Sequence, residues 1–211
     1  MRKIFNIILL GILGYFTFLM VKLTIPYFTL EDNVAFLRIK QWIIHNQFWK
    51  GAFFIHVFTS CFCLIAGFTQ FSNKIKSNYP KVHRYIGWLY IVDVLCFAGP
   101  TGLIMGFYAN GGLTSQFAFI TLSVLWIATT YIAFHSILKK DYRRHQKFMI
   151  RSYALTLSAI TLRAWKVLIV FAIRPHPMDA YMLVAWLGWV PNLLFAEWYI
   201  RSSFKLKAKK S

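Results

Sequence analysis

The sequence predicts an all-α fold: a polytopic membrane bundle of six transmembrane helices, with an outer interfacial segment between helices one and two. Three observations carry this. Of the 211 residues, 58% are hydrophobic and 19% aromatic against 14% charged, too few charges to solvate a globule of this size. Apolar runs approaching the roughly 20 residues that one hydrocarbon crossing needs recur six times. The polar gaps between these runs alternate between strongly basic and almost uncharged, which fixes an orientation in a bilayer.

The first helix, 4–22, follows Arg2 and Lys3 as a signal peptide would. Its apolar run outlasts a cleavable core of roughly 7 to 15 residues and lacks a small-residue cleavage site, so it reads as a retained helix. Residues 30–50 carry Glu31, Asp32, Arg38 and Lys40 and place Phe36, Ile39, Ile43 and Ile44 near helical spacing. That pattern predicts a segment lying along the outer interface. The second helix, 51–71, leads to a gap holding Lys74, Lys76, Lys81 and Arg84, and the third is 85–107. Residues 109–116 hold no charge before the fourth helix, 117–138. Lys139, Lys140, Arg143, Arg144 and Lys147 then precede the fifth, 148–173. Arg174 and Asp179 bracket the gap before the sixth, 181–200, and a basic tail, 201–211, closes the chain. Placing the basic gaps in the cytoplasm predicts a multi-pass membrane protein with both termini inside. The whole of 1–211 reads as one integral membrane domain.

A net charge of +18 would suggest nucleic acid in a soluble chain, but there the cations would form one face rather than alternate loops. Nucleic acid is therefore not an expected partner; the lipid bilayer is. No nucleophile triad or phosphate loop occurs, which disfavours hydrolase or transferase chemistry. Cys61 and Cys63 point to different faces of one helix, and with Cys96 they read as small buried hydrophobes.

Ionisable groups at membrane depth usually face the protein interior and act there. On the fifth helix His145, Met149, Ser152, Thr156, Ala159, Arg163 and Lys166 share one face. On the second, His56, Ser60, Cys63, Gly67 and Gln70 do the same. The third begins with His83 and carries Gly87, Tyr90 and Asp93 on nearby angles, the carboxylate roughly 15 Å along the axis and so near mid-bilayer. These depths predict an outer group of His56, Arg163 and Lys166. They also predict an inner one of His83, His145, His135, Gln70, Arg151 and Glu197. Arg151 and Glu197 are best read as structural partners, and Gly87 either as a helix contact or as room for a flat macrocycle.

The stretch from His56 to Arg163 resembles an uncharacterised bacterial family of predicted membrane proteins, domain of unknown function 2306. The motifs are G-F-T-Q-F ending the second helix, P-K-V-H-R-Y-I-G-W-L-Y from Pro80 to Tyr90, and R-H-Q-K-F-M-I-R-S-Y-A-L-T from Arg144 to Thr156. The resemblance marks His56, Gln70, His83, Arg84, Gly87, His145, Arg151 and Arg163, and leaves His135 outside the pattern.

Chemistry favours a b-type haem protein with His83 and His145 as axial ligands on the cytoplasmic side. Arg84, Arg144 and Arg151 would meet the propionates; Gln70, Gly87, Tyr90, Trp88 and Tyr153 would shape the pocket. Such a membrane oxidoreductase component would draw on a quinone or another redox partner. The fourth helix lacks an outer histidine, so His56 has no obvious partner for a second haem. Two alternatives stand. One is a non-redox transporter or binding protein moving protons or an anion along Asp93, His56, Arg163, Lys166, Ser152 and Thr156. The other is a copper- or haem-handling assembly factor for a respiratory complex, using His56, Cys63 and the inner histidines.

Overall fold

The computed structural model describes the backbone of residues 2–208 and the side chains of 10–72 and 74–204. The end of the basic tail, Lys209 to Ser211, lies outside the described residues. The chain is 86% helical, with no strand among the described residues. Six helical stretches are long and apolar enough to cross a membrane: Leu10–Thr29, Gln47–Gln70, Pro80–Phe107, Gly112–Leu138, Tyr142–Ile173 and Pro177–Phe204. Large apolar side chains such as Leu113, Phe117, Phe171 and Trp198 are exposed around them. In water that surface would be an aggregation liability; in lipid it is the ordinary outer face.

Two compact units divide the chain, 1–105 and 106–211. The first contains α1 (Arg2–Thr24), α2 (Gln47–Gln70), the short α3 (Asn73–Asn78) and α4 (Pro80–Val92). A π-helical segment, Asp93–Ala98, then runs into α5 (Gly99–Phe107). Within this unit α2 is the hub, packing on α1, on α4 and on the π segment. The second unit contains α6 (Gly112–Leu138), α7 (Tyr142–Thr156), α8 (Ser158–Ile173), α9 (Pro177–Leu187) and α10 (Val190–Ala208). Here α7 packs mainly on α6 and also on α10, while α9 packs on α8 and α6.

Helix ends fall outside the apolar runs because caps, not hydrophobicity, set them. Asn46 accepts from the amides of Phe48 and Trp49 at 3.0 and 3.2 Å, so α2 begins at Gln47. Asp141 accepts from the Arg144 amide at 2.9 Å, so α7 takes in most of the basic gap and begins at Tyr142 rather than 148. Pro80 and Pro177 open α4 and α9, where a missing N–H costs nothing. Gly111, at φ 82°, makes the uncharged turn before α6. A Cβ there would lie 2.6 Å from Ser115 Oγ.

The segment between α1 and α2 does not form one helix on the spacing of its apolar residues. It folds as two 3-10 turns, Ile25–Thr29 and Ala35–Lys40, and buries Leu37, Lys40 and Ile44, whereas Ile39 is exposed. The spacing misled because Lys40 takes a core position: its Nζ lies 5.2 to 6.0 Å from the ring centres of Trp42, Phe36 and Trp49. Burial pushes this amine down to about 8.

The third, fifth and sixth spans are interrupted within their length. Pro100 has no N–H to return to the carbonyl four residues back. The preceding turn widens so that the Gly99 amide reaches the Val94 carbonyl, five back. In the fifth span, Asn192 Nδ2 donates to the Ala154 carbonyl at 3.2 Å, the acceptor that the Ser158 amide would otherwise use, and the helix breaks at Leu157. In the sixth, Pro191 follows the break at Gly188 and Trp189. The Gly188 carbonyl there is taken by Thr161 Oγ at 2.5 Å and Asn192 Nδ2 at 3.3 Å.

Candidate functional site

In the first unit the polar stripe of α2 meets that of the third span residue by residue. His56 lies with Nδ1 2.8 Å from the Ala98 carbonyl, at the end of the π segment. Since a carbonyl only accepts, Nδ1 carries the proton and Nε2 is the basic nitrogen of the ring. Thr101 Oγ donates to the carbonyls of Phe97 and Ala98 at 2.6 and 3.3 Å. Widened backbone is thus satisfied by side chains, the condition for irregular helix at membrane depth.

At the other end of the π segment Asp93 is buried, and Cys63 Sγ donates to its Oδ2 at 3.0 Å. The Thr59 hydroxyl and the Ala98 amide also lie beside this carboxyl group. Its Oδ1 is buried and meets no partner of full hydrogen-bond geometry among the described residues. Cys63 is therefore more than the small hydrophobe the sequence suggests: it is a specific donor to an intramembrane carboxyl group. Cys61, two residues away, turns to α1 and lies 3.2 Å from Thr24 Oγ. Cys96 is exposed.

Toward the basic end of α2, Gln70 Nε2 donates to the His83 carbonyl at 3.0 Å and to Thr69 Oγ at 3.3 Å. A Cβ on Gly87 would lie 3.0 Å from Gln70 Oε1. Of the two readings of Gly87, close helix approach is the one this geometry carries: the space beside it holds the Gln70 amide. Tyr90 is fully buried on the same helix, while Arg84 and Trp88 are exposed.

In the second unit α6 and α7 are joined by a ladder of hydrogen bonds. Trp126 Nε1 donates to Thr156 Oγ at 3.1 Å, Thr130 and Ser152 share a 2.7 Å bond, and His145 Nδ1 lies 2.9 Å from the Ala133 carbonyl. The same reasoning as for His56 puts the proton of His145 on Nδ1. Polar groups bonded across two helices are the usual glue of membrane bundles. The polar face of the fifth span is continuous only through His145, Met149, Ser152 and Thr156. Beyond the break at Leu157, Arg163 and Lys166 are exposed, and the Arg163 guanidinium donates to Ala159 on its own helix at 2.6 Å. The buried polar stripe that α-helical spacing predicts along the whole span therefore ends at Thr156.

Arg151 on α7 and Glu197 on α10 form a two-pronged ion pair, Nε to Oε1 and Nη2 to Oε2, as expected of structural partners. His135 is exposed and stacks on Tyr131, with 6.2 Å between ring centres. His45 and His176 are exposed on connecting segments. Among the described residues no group of three or more His, Cys, Asp or Glu side chains comes together to hold a metal ion. Asn192 and Thr161, bonded at 2.9 Å, escaped the sequence reading. The Pro-Asn pair inside an apolar span is the signal that marks them.

Six hydrophobic spans, helices joined by polar side chains and a chain without strands among its described residues define a multi-pass helical membrane protein. The family described as Predicted membrane protein (DUF2306) matches residues 53–200, and the chain belongs to it. No curated protein and no solved structure matches.

Proposed function

We propose that the protein is a b-type haem-binding electron-transfer component of the bacterial cytoplasmic membrane, both termini inside, with His83 and His145 each a candidate axial ligand. The observation that supports this reading is the His145 ring. Its Nδ1–H is held by the Ala133 carbonyl, which fixes the ring and makes Nε2 the basic nitrogen, the state in which a histidine ligates a metal. Haem, when bound, supplies one-electron chemistry. His83 stands on α4, where Gln70 secures the turn that carries it by binding its carbonyl. Arg84 and Arg144 offer guanidinium groups for the propionates; Arg151 is committed to Glu197 and serves to hold α7 to α10. A quinone or another redox partner would exchange the electron. The test is the dithionite-reduced minus oxidised spectrum of protein purified after haem supplementation. A sharp reduced α-band supports the reading and a colourless protein rejects it.

The second reading is a non-redox carrier of protons or of an anion through the first unit. It is favoured by the buried Oδ1 of Asp93, a carboxyl group with capacity for a further partner at membrane depth. Asp93→Asn should then abolish uptake into proteoliposomes while leaving the helical content unchanged. Unaltered uptake would reject it.

A further inference from the structure

At the basic end of the second unit, a cleft of about 450 Å³ opens between α7 and α10. Arg143, Lys147, Arg151 and Arg201 line it with a single carboxylate, Glu197, while Ile200 and Phe204 form its apolar side. The carboxylate is spent on Arg151 in the two-pronged pair. Four cations therefore line the cleft against one carboxylate, which is held by Arg151 and also lies in the field of Arg201. Their placement is ordered: the Arg143 guanidinium carbon and Lys147 Nζ lie 5.9 and 5.2 Å from the Phe204 ring centre, and Arg143 Nη2 donates to the Phe204 carbonyl at 3.4 Å.

Gathering like charges in one recess is unfavourable unless an anion offsets them. Guanidinium groups in particular match the oxygens of a phosphate. The cleft sits at the ends of two membrane-spanning helices, with an apolar wall on one side. We propose that it binds the phosphate group of an anionic phospholipid. A free phosphate shares the chemistry of that group but has no use for the Ile200 and Phe204 wall.

The test is native mass spectrometry of the full chain in mild detergent, with phosphatidylglycerol, phosphatidylcholine or inorganic phosphate added in turn. Preferential retention of phosphatidylglycerol is expected. The K147Q/R201Q variant should weaken that retention roughly 25-fold, about fivefold for each charge removed near the membrane surface. K147R/R201K should retain the lipid, and K74Q, in the other basic loop, should behave as the unaltered protein. Binding of inorganic phosphate without retention of phosphatidylglycerol would overturn the lipid assignment in favour of a soluble phosphate. Equal retention of the two lipids, or a K147Q/R201Q variant with unchanged thermal melting that binds as tightly as the parent, would overturn the site itself.

Discussion

Cys63 donates its thiol proton to Oδ2 of Asp93 across 3.0 Å, joining the middle of α2 to the first residue of the π segment. π-helical turns in membrane spans commonly mark functional positions. This one has His56 at its far end and a buried carboxyl group at its near end. Replacing Cys63 with Ala removes a donor from a carboxyl group that water cannot reach. We expect a loss of about 1 to 3 kcal/mol, read as a lower midpoint of thermal unfolding in detergent, with Cys63→Ser recovering most of it. An unchanged midpoint for Cys63→Ala would show that the thiol contributes nothing.

Gly87 and Gln70 are coupled by space. Because a Cβ at position 87 would lie 3.0 Å from Gln70 Oε1, Gly87→Ala should dislodge the Gln70 amide from the His83 carbonyl and lower stability. In a Gln70→Ala background the same substitution should cost much less. Equal costs in the two backgrounds, measured by thermal melting, would contradict the coupling.

The 2.7 Å bond between Thr130 and Ser152 lies wholly inside the α6–α7 contact. A double-mutant cycle with Thr130→Val and Ser152→Ala should give a coupling of about 0.6 kcal/mol, the typical worth of such a bond between membrane helices. Strict additivity would mean that the pair contributes packing alone.

Lys40 makes stability depend on pH in the alkaline range. Its folded-state value of about 8 lies below the ordinary 10.5, so between those values the unfolded chain binds more protons and stability rises with pH. Below about pH 8 the amine is charged in both states and the full cost of burying it is present. Lys40→Met should therefore raise the unfolding midpoint at pH 7 and flatten its rise between pH 8 and 10. A variant with the parent's pH profile would show that Lys40 is not the titrating group.

Sequence reading recovers the six spans because the bilayer demands long apolar runs whatever the packing. The stripe from His56 to Gln70 follows from α-helical spacing along α2, but its meeting with the third span at Ala98, Asp93 and His83 does not: depth alone groups His56 with Arg163 and Lys166 and leaves the packing order open. Sequence reading also fails where the helix departs from that spacing. Leu157 is apolar and unremarkable, and the break beside it is imposed by Asn192, some 35 residues away in sequence and adjacent only in the fold. Counting along the helix also does not reveal that Arg163 and Lys166 are exposed. Lys40 misleads for a different reason: a lysine in the core is rare, and only the three rings around it explain the exception.

The proposed roles of His83 and His145 as haem ligands are tested by a pyridine haemochrome assay on the purified parent beside His83→Ala and His145→Ala. The expected result is a haem b spectrum for the parent and its loss in both variants, each still helical by circular dichroism. A parent without haem after supplementation, or variants that keep the full chromophore, would contradict it.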